Sequence, residues 1–276
     1  MLGYRHAFHA GNHGDVLKHL VLRECLTYLN HKPKPWLYVD THAGAGAYDL
    51  NGAQAGRNRE FEGGIARLRG GEPLPAALAD LLAAVDAAGP DVYPGSPVLA
   101  AQLARPEDRL RLYELHSSDF PQLRQRFARD RRVRCERSDG YIGLRAQLPP
   151  PTRRGLALID PSYELNSDYG AVVDALRDGL LRFETGLFLI WYPQLPQAAA
   201  RHLPGNLRAA CDRPWLDVSL SVQSPSRSGL GMYGSGMFVV NPPFGLADTL
   251  RDCLPVLAGR LGTGSDAGFN LEQSAA

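Results

Sequence analysis

Lysine is scarce in this sequence, and long apolar runs are missing from it. Only Lys18, Lys32 and Lys34 occur among the 30 Lys and Arg residues, so arginine supplies nearly all of the positive charge. No uninterrupted apolar run reaches ten residues, which excludes a membrane-spanning helix of the usual length of about 20 residues. The first residues include histidines where a signal peptide needs an apolar centre, so we expect a cytoplasmic protein.

The chain also has almost no net charge. With 30 basic and 29 acidic residues the formal net charge is +1, which argues against binding to nucleic acid by global charge but leaves a local basic face open. Its four cysteines are scattered without a CxxC pair, which is typical of reduced thiols and disfavours a cysteine-based zinc site. An apolar fraction of 44% over 276 residues is typical of a globular protein with one core domain and an insertion.

Short apolar strands alternate with helical patterns along most of the sequence. A helix from about Asp15 to Asn30, capped by Asp15, precedes the first strand. The alternation predicts an α/β fold with a mainly parallel sheet, and a loop rich in Ser, Gly and Pro makes the last two strands an antiparallel hairpin. Seven strands with a reversed seventh resemble the Rossmann-like sheet of S-adenosylmethionine-dependent methyltransferases. The predicted strands are Trp36–Asp40, Leu110–Leu115, Val133–Glu136, Leu156–Asp160, Leu187–Tyr192, Trp215–Val222 and Met237–Asn241.

Residues 51–104 interrupt this alternation. They contain helical patterns but no convincing strand, and Ser96-Pro97 favours a helix N-cap followed by proline at the first helical position. We therefore predict a methyltransferase domain over residues 1–50 and 105–276 and a small helical insertion subdomain over residues 51–104. The tail after about Gly262 is rich in Gly, Ser and Ala, and we expect it to be frayed.

Acidic residues follow three of the predicted strands. Asp40 leads into a turn with Gly44 and Gly46, but the third glycine of a dinucleotide fingerprint is absent, which disfavours a pyrophosphate and leaves adenosine without phosphates open. Ligands of doubly wound sheets lie over the carboxyl ends of the strands, so Glu114 is placed to bind both ribose hydroxyls, although a surface glutamate is equally consistent with the pattern. Asp139 can either cap a helix or bond an adenine amino group.

The segment Asp160-Pro161-Ser162-Tyr163 carries the sharpest chemical signal. An exocyclic amine of adenine is a poor nucleophile, so its methylation requires an acceptor that holds an N–H and takes the proton as the bond forms. Asp160 beside a proline-stiffened turn suits this role together with the turn's backbone carbonyl. Tyr163 suits stacking on the base, which contributes about 1–3 kcal/mol. A plain Asp-Pro turn with a packed tyrosine is the alternative.

Three further patterns allow a functional and a structural interpretation. Asn241-Pro-Pro-Phe244 fits the amino-methyltransferase pattern better than Asp160-Pro-Ser-Tyr163 does, but a reversed seventh strand would place it at the opposite edge of the sheet. The spacing of the N-terminal histidines mixes helix and loop, so we expect no metal site. An arginine-rich stretch is either a solvated face or a phosphate-binding stripe, which Arg153, Arg154 and Arg227 would extend. Its members are Arg124, Arg126, Arg129, Arg131, Arg132, Arg134 and Arg137.

Over nearly its whole length the chain resembles the bacterial ribosomal RNA large subunit methyltransferase J family, whose members form N6-methyladenine in 23S ribosomal RNA. The family pattern at the sharpest signal is Asp-Pro-Pro-Tyr, and Ser162 replaces its third residue here. Serine restores a backbone N–H and frees φ at this position. The proton acceptor Asp160, the turn's backbone carbonyl and the ring of Tyr163 are all kept, so we expect the methylation chemistry to survive. The motifs that carry the resemblance are Tyr4–His13, Asp15–His19, Asp40–Gly46, Tyr93–Pro97, Glu114–His116, Asp139–Gly140, Asp160–Glu164, Trp191–Pro193 and Asn241–Pro243.

This resemblance implies a cofactor, a substrate and a set of site residues. The cofactor is S-adenosylmethionine, and the substrate is an adenine at position 2030 of 23S ribosomal RNA. Asp160 is implied as the proton acceptor and Tyr4 as an RNA contact, with His6 added on the RNA side and Lys18 at the methionine carboxylate. We expect a monomer that binds neither metal nor membrane. The implied contacts to S-adenosylmethionine are His19, His42, Ser96, Glu114, Asp139, Gly140 and Asp160.

Two other classes of protein stay open at this point. A nucleotide-dependent oxidoreductase on a Rossmann sheet would need the complete GxGxxG, and only the acid at the end of the second strand is present. A catalytically silent RNA-binding relative would keep the fold and bind the cofactor without turnover. Binding of S-adenosylhomocysteine would exclude the oxidoreductase, and turnover on RNA would exclude the silent relative.

Overall fold

The computed structural model describes residues 4–226 and 231–274, so the predicted role of Arg227 lies outside the described residues. Within these ranges no helix is both long enough and apolar enough to cross a membrane. The strands are β1 (Leu37–Asp40), β2 (Ala47–Asp49), β3 (Val92–Pro94), β4 (Arg109–Tyr113), β5 (Val133–Glu136), β6 (Gly155–Ile159), β7 (Leu187–Gln194), β8 (Trp215–Ser221), β9 (Gly234–Val240) and β10 (Gly268–Gln273). The α-helices are α1 (His13–Asn30), α2 (Ala55–Asn58), α3 (Ala76–Asp86), α4 (Ser96–Leu103), α5 (Asp119–Arg126), α6 (Gly140–Gln147), α7 (Asn166–Arg182), α8 (Ala198–Ala210) and α9 (Leu246–Leu261).

Eight of these strands form one twisted sheet in the order β10-β8-β9-β7-β6-β1-β4-β5. The strands from β7 to β5 in this order run parallel to one another. β9 is antiparallel to both of its neighbours, β7 and β8. The predicted α/β fold with a reversed seventh strand and a terminal antiparallel hairpin is therefore confirmed. Apolar side chains of the central strands are buried on both faces, as is usual for parallel strands covered by helices.

The eighth strand, β10, was not predicted, and the expectation of a frayed tail is wrong. Gly268–Gln273 pairs antiparallel with β8 over six residues, from Gly268 opposite Ser221 to Gln273 opposite Leu216. As an edge strand β10 needs few core-facing residues, and only Leu271 packs against the core. Because its composition is polar, the sequence pattern does not predict this strand, which is held in place by backbone hydrogen bonds to β8.

Helix α1 begins two residues earlier than predicted, and Asn12 caps it rather than Asp15. The Asn12 side chain accepts a hydrogen bond from the Asp15 backbone N–H at 3.0 Å. Asp15 is unavailable as a cap because its carboxylate turns inward, where it is 1% exposed. The helix packs against α3, α4 and α9 and against β6, β7 and β9, so its inward-facing polar residues lie next to the carboxyl-end edge of the sheet.

A small two-stranded sheet lies where the sequence predicted no strand between residues 51 and 104. β3 pairs antiparallel with β2, which directly follows the glycine turn. Helix α4 then packs against α1 and the strands β1 and β4. Ser96 starts α4 but makes no side-chain cap, because its hydroxyl donates to Asp40 instead. The division into two subdomains stays a prediction.

Candidate active site

A cleft lies at the carboxyl ends of the parallel strands β1, β4, β5 and β6, where the chain reverses into loops. The direction of these strands is what brings distant residues together here. Ten of the eleven predicted site residues line this cleft. They are Tyr4, His6, Lys18, His19, His42, Ser96, Glu114, Asp139, Gly140 and Asp160.

The end of β1 is built around the fully buried carboxylate of Asp40. Its Oδ2 accepts hydrogen bonds from Tyr38 and Ser96, each at 2.7 Å. Burial raises the pKa of Asp40 to about 6, against the lowering effect of these two donors. Asp40 therefore anchors the start of α4 to β1 and shapes the cleft from behind, while Ser96 and His42 reach its wall.

The glycine turn after β1 is tied to the end of β4 through Glu114. The Gly44 N–H donates to Glu114 Oε2 at 2.7 Å, and the His116 N–H donates to Oε1 at 2.6 Å. Gly44 has φ of 59°, and a Cβ atom there would lie 2.2 Å from the Tyr48 hydroxyl, so no other residue fits. Burial raises the pKa of Glu114. Each carboxylate oxygen keeps a second acceptor position, which suits two neighbouring hydroxyls.

Asp139 and Gly140 have separate structural tasks at the start of α6. Asp139 caps the helix by accepting from the backbone N–H groups of Tyr141 and Ile142 through Oδ1, at 2.8 and 3.1 Å. A Cβ atom on Gly140 would lie 1.9 Å from the Thr41 carbonyl oxygen, so only glycine lets the two loops meet. The capping interpretation is thus confirmed, and Asp139 also lines the cleft, with Oδ2 not used by the cap.

His19 presents an unpaired ring nitrogen in a nearly closed environment. Its Nδ1 lies 2.8 Å from the Tyr93 hydroxyl, whereas the buried Nε2 finds no hydrogen-bond partner among the described residues. Burial lowers the pKa of His19 to about 3, so the ring is neutral. Across residues 4–226 and 231–274, no three His, Cys, Asp or Glu side chains are grouped as metal ligands. The neutral ring lines the cleft and leaves Nε2 available to a polar group of a ligand there.

A chain of polar contacts connects Asp160 to the N-terminal segment. Lys18 Nζ donates to Asp160 Oδ2 at 2.7 Å and lies 2.8 Å from Asp15 Oδ1. The other oxygen of Asp15 lies 2.8 Å from His6 Nε2, and His6 Nδ1 lies 2.9 Å from the Tyr4 hydroxyl. Sequence reasoning missed Asp15 because it read that residue as a helix cap. The available signal was the (i, i+3) spacing with Lys18 on a buried face.

A second, larger cavity of about 600 Å³ adjoins the cleft. Both cavities share Lys18, Asp160, Pro161 and Ser162 in their walls, together with Tyr4 and His6. The second one also exposes Trp191, whose Nε1 has no partner among the described residues and whose ring lies under Lys18 at 5.7 Å. In the sequence, Trp191 ends an apolar run that forms β7, the strand next to β6 and Asp160. This position indicates an aromatic residue near the proton acceptor, a signal that the sequence analysis did not use.

Tyr163 is the one predicted site residue that the structure does not bring to either cavity. Its side chain is buried, its hydroxyl donates to the Trp191 carbonyl oxygen at 2.6 Å, and its ring packs against Tyr169 and Trp191. Its backbone has a φ of 54°, in the left-handed region. The geometry therefore gives no support to the prediction that Tyr163 stacks on the base.

Asn241 lies at the opposite edge of the sheet, as the antiparallel β9 requires. Its Nδ2 donates to the carbonyl oxygens of Glu184 and Gly186 at 2.9 and 2.8 Å. Phe244, the last residue of the same tetrapeptide, is 95% exposed. The structural interpretation of Asn241 is confirmed.

Most arginines of the arginine-rich stretch, which runs from the last turn of α5 to the residue after β5, are exposed to solvent. Asp130 and Glu136 pair with Arg132 and Arg134. The remaining five are exposed and make no ion pair with any residue in the described part of the chain. They are Arg124, Arg126, Arg129, Arg131 and Arg137.

The sheet order, the reversed β9, and the polar groups over the ends of β1, β4, β5 and β6 define a Rossmann-like methyltransferase. A family model matches residues 33–272, and its description is "Ribosomal RNA large subunit methyltransferase D, RlmJ". The chain belongs to this family. It is therefore a ribosomal RNA methyltransferase, and the family implies S-adenosylmethionine as its methyl donor.

Two named relatives agree with this assignment, and one solved structure has a similar fold. The chain is 45% identical to "Ribosomal RNA large subunit methyltransferase J" of Escherichia coli, over 96% of each chain. It is 42% identical to the protein of the same name from Haemophilus influenzae, over 96% of this chain and 97% of the relative. A crystal structure of a Legionella pneumophila protein matches with a TM-score of 0.88 at 32% identity, over 97% of this chain and 99% of that one.

Proposed function

We propose that this enzyme methylates the exocyclic N6 of one adenine in 23S ribosomal RNA, with Asp160 as the acceptor of the amine proton. The observation that carries the proposal is the position of Asp160, Pro161 and Ser162 on the wall shared by the two cavities. A methyl donor in one cavity and an adenine in the other would meet there. The large-subunit RNA is supported by the names of the two curated relatives.

The first cleft fits S-adenosylmethionine by the chemistry of its walls. When bound, the cofactor supplies an electrophilic methyl group on a sulfonium. Glu114 would accept hydrogen bonds from the ribose hydroxyls, and the free oxygen of Asp139 would accept from the adenine amino group. Lys18 and the orphaned Nε2 of His19 face the place for the methionine part, while His42, Ser96 and Gly140 complete the wall.

Asp160 would act on the amine that enters from the second cavity. Its Oδ2 is already bonded to Lys18, so Oδ1 remains to accept a hydrogen bond from the N6 amino group. Holding one N–H orients the nitrogen lone pair toward the methyl group, and the same oxygen takes the proton once the new bond forms. Pro161 lacks an N–H, so the turn beside Asp160 offers the amine acceptors rather than a competing donor.

The larger cavity supplies a surface for the target nucleotide. The indole of Trp191 is an aromatic face of this cavity and lies under Lys18, the ion-pair partner of Asp160, and base stacking on such a ring contributes about 1–3 kcal/mol. Tyr4 and His6 line the same space and would contact the RNA. This assignment gives Trp191 the stacking role for which the sequence had suggested Tyr163.

The unpaired arginines of the arginine-rich stretch would contact the phosphate backbone. Their charge is not neutralised by neighbouring carboxylates, and each phosphate contact adds to the salt dependence of binding. Replacing Arg124, Arg129 and Arg131 with Glu should weaken RNA binding and flatten its dependence on salt. Arg177 and Arg251 are exposed but ion-paired, so their replacement by Glu is the control. Equal affinity and salt slope in both variants would contradict the phosphate role.

The decisive experiment maps N6-methyladenine in 23S ribosomal RNA by mass spectrometry, with and without this gene and after incubation with the purified enzyme. We expect one adenine to lose its mark without the gene and to regain it in vitro. Cofactor binding without turnover on RNA would identify a catalytically silent relative instead. A methyl group on another base, or on another RNA, would contradict the proposal.

A further inference from the structure

Asp15 connects the N-terminal segment to Asp160, the residue that follows β6, through its contact with Lys18. Its carboxylate is 1% exposed, although a lone buried charge is costly. One oxygen accepts from the Gly11 backbone N–H at 2.8 Å and lies 2.8 Å from His6 Nε2. The other lies 2.8 Å from Lys18 Nζ. Asp15 is absent from the wall of the cofactor cleft and borders only the larger cavity, and both of its carboxylate oxygens lie against groups of the protein itself.

Lys18 lies between two carboxylates. Its buried ammonium lies 2.8 Å from Asp15 and 2.7 Å from Asp160, which fixes the nitrogen from two sides. Burial disfavours charge on both partners, but the ion pairs outweigh it: the pKa of Lys18 is held well above, and that of Asp15 well below, the usual value. Asp15 and Lys18 are therefore both charged when the site is assembled.

We propose that Asp15 is a positioning residue for methyl transfer: it holds the Lys18 ammonium in place, and Lys18 in turn holds Asp160 with Oδ1 directed to the amine. The proposal rests on the proposed function, because it assumes that Asp160 accepts the amine proton. Asp15 lies three residues from Lys18 on α1, so the rigid helix sets the separation of the two groups.

The same carboxylate orients the RNA side of the site. His6 is held between Asp15 and the Tyr4 hydroxyl, so one buried anion sets the position of groups in both cavities. Loss of the charge would leave Lys18 with a single anionic partner and leave His6 without its acceptor. Misplacement of reacting groups by about 1 Å can cost about a hundredfold in rate.

The test is a double-mutant cycle of Asp15→Asn and Lys18→Met, read as the single-turnover rate with saturating cofactor and RNA. Asp15→Asn should lower this rate by about ten- to a hundredfold. Because Lys18 also faces the methionine part of the cofactor, the Kd for S-adenosylhomocysteine is measured by titration calorimetry, and saturation keeps a change in this Kd out of the rate. If Asp15 acts mainly through Lys18, the loss of rate in the double variant will be clearly smaller than the product of the two single losses.

Asp108→Asn is the matched control. Asp108 is also fully buried and ion-paired, with Arg105, but it lies at the amino-end edge of the sheet. It should lose thermal stability like Asp15→Asn and keep the wild-type rate. Should Asp15→Asn fail to fold, Asp15→Glu, which keeps the charge and shifts it by one methylene, enters the same cycle with the same expected loss of rate and the same non-additivity.

Two results would overturn this proposal. One is an Asp15 variant whose methylation rate falls no further than that of Asp108→Asn. The other is a double variant whose loss of rate equals the product of the losses in Asp15→Asn and Lys18→Met. The failure of the proposed function gives a different result, because the wild type itself would then leave adenine N6 unmethylated. An active wild type with a fully active Asp15 variant contradicts only the positioning role.

Discussion

Two similar tetrapeptides end strands at opposite edges of the sheet. Asp160-Pro-Ser-Tyr163 follows β6, and Asn241-Pro-Pro-Phe244 follows β9. Each contains a residue other than glycine with φ of 54°, Tyr163 in the first and Asn241 in the second. By sequence alone the second is the better amino-methyltransferase motif.

Strand direction separates the two tetrapeptides. β6 runs parallel to β1 and ends beside the cofactor cleft, so Asp160 meets Lys18 and two cavities. β9 runs the other way, and the Asn241 amide is used to hold two backbone carbonyl groups. The role of a polar residue before proline therefore depends on the direction of its strand, which decides whether the residue lies beside the cofactor cleft or at the opposite edge of the sheet. The predictions below test this contrast between the two edges.

The largest difference is expected for the two polar residues themselves. Asp160→Asn removes the proton acceptor while keeping the shape, so the methylation rate should fall by at least about a thousandfold, within the range that general base catalysis contributes. The fold should stay intact, although the loss of the ion pair with Lys18 lowers the melting temperature. A single-turnover assay on RNA measures the rate, and substantial activity of Asp160→Asn would remove the distinction between the edges.

The buried aspartates of the two edges should respond to pH in opposite directions. Asp40, with its pKa raised to about 6, binds a proton in the folded state that the unfolded chain lacks, so its contribution to stability falls as pH rises from about 4 to about 6. Asp40→Asn should remove this effect, which is on the order of 3 kcal/mol. Thermal melts of both proteins from pH 4 to 7 measure it, and parallel curves would contradict the assignment.

Asp108 at the amino-end edge is the counterpart in the same melts. It is buried too, but hydrogen bonds from Arg105 and from the Trp36 N–H outweigh burial and lower its pKa. It therefore stabilises the fold at neutral pH and loses this effect as pH falls below about 4. Asp108→Asn should be less stable than the wild type at pH 7, with a gap that closes in acid.

Asn241→Ala should affect stability alone. The change leaves two backbone carbonyl groups without donors and puts alanine at a positive φ, so we expect a loss of about 1–3 kcal/mol in the free energy of unfolding. Denaturant titration measures this loss. The methylation rate of the folded variant should equal that of the wild type, and a large loss of rate would mean that the distant edge takes part in the chemistry.

Ser162→Pro should have the smallest effect. It restores the family pattern Asp-Pro-Pro-Tyr and makes the two tetrapeptides more alike, yet Asp160 and Pro161 already line the site. We expect the methylation rate to change by less than about threefold, well under 1 kcal/mol. A large gain in rate would show that the serine limits the native enzyme.

Sequence patterns predicted the parallel part of the fold and most of the cleft. Buried strands such as β6 are continuous apolar runs that end in a polar residue, and parallel order brings those ends together without further information. The resemblance to the family then added residues such as His19, whose own pattern says only that it lies on a helix.

The remaining features depend on three-dimensional contacts that leave weak sequence signals. Asp15 reads as a helix cap until the packing of α1 turns its carboxylate inward. The sequence pattern suggests that Tyr163 stacks on the base, but in the structure this residue has a positive φ and its ring is buried against Trp191. Strand β10 reads as a tail because an edge strand buries little. In each case the deciding factor is the direction of a side chain or backbone, which composition does not encode.

Strand β10 also has a consequence for the behaviour of the protein at high concentration. It covers the outer edge of β8, whose backbone N–H and C=O groups would otherwise be a template for pairing with a second copy. Its own outer edge carries Asn270 and Glu272, and Glu272 pairs with Arg208. At the other end of the sheet, β5 carries the charged Arg134 and Glu136. Both boundaries of the sheet are thus protected by charge against edge-to-edge aggregation.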